Sequence, residues 1–462
     1  MLMRALRISK NSRTGLGSTH IFQSDPKMGD ELVERPQPTQ KGIFANLGMF
    51  QFLSFVRRGV FYTFMISYLF DLMQTVTYTA LLGTLNMVGS ALGQNLLWGK
   101  IADRYRLRTK LIIAGESIAA VSYFIVFQIH RSLMNNQANF MAGLSLIVGL
   151  SILEFFWSMS DVGWAALLIE TTTTSNRASI VGALNFIASL GRMIGISFAG
   201  YLYMNGEGFR QGTIFYIVIA MLIVGATLMW ITSRSTSSQT KTTGDNQADT
   251  HSVKKSMIYD KRTYKWFLIS LIVIVIGTSS VSQVFLLFVG LPDGLMATDL
   301  QTSIILTAFT IGGMIISLTC GWLADRIGKA LVLFAGLILA ILTPLLYGVA
   351  SSVPTMALFY GLNGASFWII QTADFAFAGD IIPENRRGRM FSRYNTVMAL
   401  SWGPAGLLVG GPLADLQVKV FQLSPHTAYL NAFYASSIIV ALGTTIFGLK
   451  VLRTKGSKQP ST

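Results

Sequence analysis

Gly321-Trp322-Leu323-Ala324-Asp325-Arg326-Ile327-Gly328-Lys329 is a short charged turn between two long apolar runs, Ile304 to Cys320 and Ala330 to Val349. Runs that long and that apolar are candidate membrane helices, so the turn between them must sit at a membrane surface. The same turn occurs earlier as Gly99-Lys100-Ile101-Ala102-Asp103-Arg104-Tyr105-Arg106-Leu107-Arg108. Asp103 and Asp325 are 222 residues apart, close to half of the 462-residue chain. A second spacing is duplicated too. Glu170, Arg177 and Asn185 are separated by seven and eight residues, and Asp380, Arg387 and Asn395 repeat this 210 residues on. Two halves with matching loops and matching hydropathy predict a transporter built from parallel repeats.

Composition points the same way. Hydrophobic residues make up 52% of the chain and charged residues only 12%, whereas a soluble domain carries about 25% charged residues. The single cysteine, Cys320, excludes an internal disulfide and any cysteine-based metal cluster. The four histidines, His20, His130, His251 and His426, share no helix face, so no metal site is expected. No glycine-rich phosphate loop ending in Lys-Ser/Thr is present, which argues against an ATP-driven pump. No nucleophile triad can be assembled, so the chain does not read as an enzyme, and no cofactor is implied.

Twelve apolar segments are expected near 46–70, 75–98, 109–130, 140–168, 178–203, 213–232, 264–290, 301–320, 330–350, 354–380, 389–415 and 428–450. They divide the chain into a polar tail (1–43), a first bundle (44–232), a Ser/Thr/Lys-rich linker (233–263), a second bundle (264–452) and a tail (453–462). The end of the linker, from His251, reads as a basic helix on the membrane surface. The tail 1–43 carries Arg4, Arg7, Lys10 and Arg13 without a following apolar core, so it reads as cytosolic, with a transit peptide as the other reading. The net charge of +15 comes from basic residues at helix ends and in alternate loops, not from a nucleic-acid surface. Thirty of the 36 Lys and Arg fall in the tails, the linker and the loops on their side, against Arg131, Arg210 and Lys419 on the other. That bias places both termini and the linker in the cytosol. A bacterial or archaeal inner membrane is the expected location.

The remaining basic residues, Arg57, Arg58 and Arg192, lie within segments, as do Glu116, Glu154, Asp161 and Asp374. A charge at the bilayer centre costs several kcal/mol, so each needs a partner or a wet cavity. Glu154, Trp157, Asp161 and Trp164 follow at intervals of three and four residues and share one helix face. Two carboxylates and two indoles are wrong for lipid and right for a solvated cavity. Depth along the segments pairs Glu154 with Arg192 at the midplane, and Asp161 with Arg57 or Arg58 nearer the cytosol. A permanent structural pair is the alternative for each, and Arg57 and Arg58 alternatively snorkel to the interface. Glu116, in the third segment, reads as structural.

The pattern Gly-x-x-x-Asp-Arg-x-Gly-basic resembles the loop signature of the major facilitator superfamily. Gly321, Asp325, Arg326, Gly328 and Lys329 match it fully, and Gly99, Asp103 and Arg104 match it up to Arg106, where the pattern wants glycine. The resemblance covers roughly residues 44–452. It implies an all-α membrane protein of twelve transmembrane helices in two six-helix bundles. It also implies a central cavity lined by the first, fourth, seventh and tenth helices. Carried onto this chain, that cavity takes Arg58, Tyr62, Met65 and Tyr68, then Trp157 and Trp164, then Ser279, Ser282 and Gln283, then Trp368, Gln371, Asp374 and Phe375. The resemblance further implies a cytosolic gate, with Asp103 facing Arg389 and Arg393, and Asp325 facing Arg177. Gly403-Pro404 to Gly410-Gly411-Pro412 resembles the Gly/Pro motif of the family's drug/proton antiporters, but stands in the eleventh segment instead of the fifth. It would act as a hinge.

The expected function is a secondary active transporter that moves a small organic solute by alternating access, in proton-coupled export, with Glu154, Asp161 and Arg192 as the coupling residues. An uptake symporter for a sugar or organic acid is the alternative. A different class is a non-transporting receptor or assembly protein on the same scaffold. The expected partners are the solute, protons and the lipid bilayer, with no nucleic acid, and the protein is expected to be monomeric.

Overall fold

The computed structural model describes residues 40–105, 107–172, 177–236, 261–382 and 387–452. Among them the backbone is helical apart from short turns. α1 runs over Gln40–Tyr62 and, after a break at Thr63–Phe64, over Met65–Met73. α2 (Val76–Leu92) continues through a π-helical turn, Gly93–Trp98, into Gly99–Tyr105. α3 (Arg108–Asn135), α4 (Asn139–Thr171), α5 (Arg177–Tyr203) and α6 (Thr213–Thr236) complete the first half. The second half comprises α7 (Lys261–Ser280, then Ser282–Val289), α8 (Asp299–Ile327), α9 (Lys329–Leu346) and α10 (Val353–Ile381). It ends with α11 (Arg387–Trp402, a π-helical Gly406–Gly410, then Gly411–Lys419) and α12 (Pro425–Phe447, prolonged by Gly448–Leu452).

Ten of the described helical stretches are long and apolar enough to cross a membrane; α1 and α2 fall outside that count. The reason is local. The first part of α1 contains Arg57 and Arg58, and α2 with its continuation carries Asn86, Gln94 and Asn95 among its apolar residues. Both nevertheless contribute to the core, through Phe61, Tyr68 and Leu69 from α1 and Ala80 and Leu82 from α2. Most of the expected N-terminal tail, the expected C-terminal tail and most of the expected linker lie outside the described residues; α1 begins at Gln40, within the expected tail.

Apolar side chains of each helix pack against their neighbours, and in lipid it is close van der Waals packing that assembles aromatic clusters of this kind. In the first half Phe61 meets Tyr123 at 4.8 Å, Phe215 at 5.2 Å and Phe209 at 5.6 Å, all edge to face. In the second half Phe377 packs on Phe267 and Phe447. Helix starts are fixed by capping chemistry. Thr298 and Gln301 form a reciprocal capping box at the start of α8, as Ser352 and Thr355 do at the start of α10.

Four contacts orient the two ends of the bundle. Tyr203 Oη donates to Asp71 (3.3 Å), and Tyr68 Oη meets His130 Nε2 (2.8 Å). Asn205 N–H donates to Asp299 (3.0 Å), and Thr77 N–H donates to Asp415 (2.8 Å). These gather the ends of α1, α3, α5 and α11 and the starts of α2 and α8 at one end of the bundle, here called the far end. The charged turns after α2 and α8 therefore share the opposite end, the turn end. Gly328 there takes φ +97°, a conformation that side chains with a Cβ rarely adopt, which is why the signature carries glycine at this position.

Candidate functional site

Glycine spacing shapes the interface that sets up the site. On α5, a Cβ at Gly191 would meet the Phe52 carbonyl of α1 at 2.5 Å, and one at Gly195 would overlap the Val56 carbonyl. Gly59 packs equally closely on the backbone of α5. This small-xxx-small stripe brings two backbones together, as in many membrane helix pairs. Arg192, next to Gly191, lines the cavity that the two halves enclose.

That cavity has a volume of about 930 Å³. Its wall includes Arg58, Tyr62 and Ile66 from α1 and Arg192 and Ile196 from α5. Gln283 and Phe285 come from α7, Tyr360 and Gln371 from α10, and Asn395 and Trp402 from α11. Of the residues expected to line it, Arg58, Tyr62, Ser279, Ser282, Gln283, Gln371 and Phe375 do so. Trp368 does not, because its indole lies over Gly313 of α8. Asp374 does not either. It is fully buried beside Tyr394, without hydrogen-bond geometry to any described donor.

α4 contributes no residue to this wall, a correction to the expectation that its polar face opens on the central cavity. Trp157, Asp161 and Trp164 line a separate pocket of about 170 Å³, closed by Phe50, Gln51 and Ser54 of α1 and Glu116 of α3. Trp157, Asp161 and Trp164 of the expected face thus turn toward α1 and α3 within their own half, and Glu154 is not in this lining.

This side pocket is tightly wired. Asp161 pairs with Arg58 at 3.4 Å, as expected from their depth. Both arginines crowd the Trp157 indole, with guanidinium carbons 4.3 Å (Arg57) and 4.5 Å (Arg58) from the ring centroid. The ring quadrupole thus helps to hold two cations side by side in a low-dielectric setting. Trp157 Nε1–H donates to Glu116 (2.8 Å), as does the Ser160 hydroxyl (2.9 Å), so Glu116 is a structural acceptor. Arg57 is buried in this cluster and does not snorkel to the surface.

Glu154 and Arg192 do not pair. Glu154 feels Arg58, Asp161 and Arg57 electrostatically, whereas Arg192 faces Tyr360 across the cavity. Arg192 lines the central cavity and Glu154 does not. Phe55 and Arg58 line both pockets, and Arg58 brings a charge to that shared wall, a position that no sequence pattern revealed.

The hinge residues sit where the halves meet. The Thr84 hydroxyl of α2 donates to the Gly403 carbonyl (3.1 Å), and the chain turns at Gly403–Pro404 before the π-helical stretch. A Cβ at Gly410 would overlap the Ser280 carbonyl of α7, and Pro412 follows at the start of the last stretch of α11. Proline removes a backbone donor and glycine permits close approach, the two ingredients of a bent helix.

The side chains of the expected gate residues Asp103, Arg177, Asp325 and Arg389 lie outside the described residues, as does Arg106. Gly99, Gly321, Arg104, Arg326 and Arg393 belong to helices at the turn end, and Arg104, Arg326 and Arg393 are exposed. Lys329, the last residue of the signature, pairs with Asp380 of α10 at 2.6 Å within its own half. Hydrogen bonds join the halves at the far end. Asp415 accepts from Val76 N–H (3.1 Å), Thr77 N–H and the Thr77 hydroxyl, and Lys419 donates to Thr75 (2.7 Å).

Comparison with known proteins accords with this architecture. One relative is the facilitated glucose transporter protein 1 of Caenorhabditis elegans, 34% identical over 110 residues, which are 22% of this chain and 21% of that protein. Another is the quinolone resistance protein NorA of Staphylococcus aureus, 25% identical over 149 residues, 32% of this chain and 37% of that one. The chain thus matches only a fifth to two fifths of the length of these relatives. Among solved structures, a bacterial homologue of the human lysosomal transporter Spinster, in an inward-facing unoccupied conformation, superposes with a TM-score of 0.68 at 13% identity. It covers 92% of this chain and all of that one. A bacterial homologue of the iron transporter ferroportin gives 0.66 at 14% identity, over 91% of this chain and all of that one. The Major Facilitator Superfamily model matches residues 47–292 and 273–462, and the chain belongs to that family of multi-pass membrane transporters.

Proposed function

We propose that this protein is a secondary active transporter that carries a small organic solute by alternating access, with the cavity between the halves as the binding site. The cavity itself is the observation that supports this most. Its volume, about 930 Å³, falls in the range of small-molecule sites, and it combines aromatic walls with a few polar groups. Asp415 and Lys419 hold the far end shut, and the solute is proposed to exchange through the turn end. The reverse state requires Asp415 to release α2, while the signature turns after α2 and α8 close the other end. Asp103, Asp325, Arg177, Arg389 and Arg393 are proposed to make that closure.

Proton coupling is proposed at Asp161 and Glu154. Arg58 opens on both pockets and is held by Asp161. Protonation of Asp161 therefore releases a cation to the central cavity, and export is the proposed direction, in keeping with the local likeness to a quinolone resistance protein. Uptake of an organic acid together with a proton has its own support. A carboxylate solute and Asp161 would compete for Arg58, so the solute would bind best when Asp161 is protonated. The test is transport in proteoliposomes under an imposed pH gradient. Wild-type protein should accumulate solute and Asp161→Asn should not; equal gradient-driven accumulation by the two would refute coupling through Asp161.

A further inference from the structure

The wall of the central cavity contains two charged side chains among the described residues, Arg58 and Arg192, and no carboxylate. The acids of the bundle core stand behind that wall. Asp161 lies in the side pocket, and Asp374 is buried beside Tyr394. Glu154 belongs to neither lining and lies close enough to Tyr62 to act on it electrostatically. The charge of Arg58 is shared with Asp161 at 3.4 Å. Arg192 is different. Its side chain is exposed to the cavity, and it has no hydrogen bond or ion pair with a described residue. A guanidinium that far into a membrane bundle needs an anion or a wet cavity to be tolerated.

We propose that the transported solute is a small organic anion, bound by Arg192 through a carboxylate or a group of similar charge, with an aromatic or apolar body. The remainder of the wall suits that body. Across from Arg192, Tyr360 stacks on Phe285 with ring centroids 3.8 Å apart and planes 5° apart, and Phe309 lies 5.2 Å from Tyr360. Gln371 and Asn395 supply neutral amides for polar substituents. An organic cation meets the opposite situation. It would share the cavity with two guanidinium groups and find no carboxylate, so a lipophilic cation is selected against. Arg192 also fits the anion geometrically, because a planar guanidinium donates two parallel hydrogen bonds to a carboxylate, which lysine cannot do.

This inference rests on the cavity being the transport site, but binding can be measured without transport. The experiment uses purified full-length protein in nanodiscs and three probes of matched size, 2-naphthoate, 2-naphthamide and 2-naphthylmethylamine, with affinities read by equilibrium dialysis. The expected order is naphthoate tightest and the amine weakest. Arg192→Gln should weaken naphthoate at least tenfold and leave naphthamide within about twofold. Arg192→Lys, which keeps the charge and guards against misfolding as the cause, should recover part of the loss. Amine binding equal to or tighter than naphthoate binding overturns the proposal. Naphthoate binding that is absent, or indifferent to Arg192, also overturns it. Arg192-dependent naphthoate binding without any transport in proteoliposomes would refute the transporter reading and leave only the anion-binding site at Arg192 standing. Accumulation of the amine but not of naphthoate would do the reverse.

Discussion

Asp415→Ala should release the far end of the bundle. Thr75, the residue that precedes α2, makes no capping hydrogen bond of its own to the helix. The first amide groups of α2 are instead satisfied from the other half, since Asp415 accepts from Val76 N–H, Thr77 N–H and the Thr77 hydroxyl. Unsatisfied helix-start amides attract a carboxylate both by hydrogen bonding and through the helix dipole. Hydrogen bonds to a charged group contribute about 1.5–3 kcal/mol each, less where water can replace the lost partner. Asp415 is largely covered, with 15% of its side chain exposed, so water replaces only part of the loss. A net value of about 2–4 kcal/mol for the latch follows, which shifts the equilibrium between closed and open far ends roughly 30- to 700-fold. Spin labels at Gln211 and Gln422, both exposed far-end loop positions in opposite halves, can report this by electron-electron distance measurement in a Cys320→Ser background. Asp415→Ala should add or enlarge a longer-distance population, and Asp415→Asn, which keeps one acceptor, should give an intermediate effect. An unchanged distance distribution in the folded variant would refute the latch.

Other outcomes follow from the same geometry. Glu116→Leu strands the Trp157 indole N–H and the Ser160 hydroxyl and should lower stability by about 2–3 kcal/mol; Glu116→Gln should cost much less, and thermal unfolding distinguishes them. Gly410→Ala places a Cβ on the Ser280 carbonyl and should cost about 1–3 kcal/mol, read as a lower unfolding midpoint; a neutral effect would mean that α7 and α11 pack less closely than described. Glu154→Gln should abolish gradient-driven transport while sparing solute exchange at equal pH, because it removes a protonatable group without stranding a paired arginine. Asp161→Asn should impair both modes, since it leaves Arg58 without its ion-pair partner.

Much of this architecture was legible in the chain, and the reasons are physical. Charge at a membrane surface is tolerated and charge within it is not, so the turns at Asp103 and Asp325 stand out against apolar surroundings. Their glycine requirement is visible in the positive φ of Gly328. The Arg58–Asp161 pair was readable because rise per residue fixes depth, and two charges at one depth seek each other. Depth says nothing about direction around the bundle. Glu154 and Arg192 therefore match in depth, yet they form no ion pair and only Arg192 lines the central cavity. Periodicity likewise groups Glu154, Trp157, Asp161 and Trp164 on one face without naming the neighbour that face meets. Which helix opposes it depends on the α1–α5 crossing set by Gly59, Gly191 and Gly195, a contact between residues more than 130 positions apart. The Asp415 latch was hidden for a similar reason, because Thr77 is a partner 338 residues away in the chain.

Solute accumulation in proteoliposomes is the most direct test of alternating-access transport through the central cavity. Vesicles holding the purified full-length chain, with an imposed pH gradient, would be compared with protein-free vesicles and with vesicles carrying the Arg192→Gln variant. The expected result is wild-type accumulation of 2-naphthoate above its equilibrium level, collapse on addition of a protonophore, and a marked loss in Arg192→Gln. Accumulation by folded wild-type protein no greater than in protein-free vesicles, across naphthoate, naphthamide and the amine alike, would contradict it.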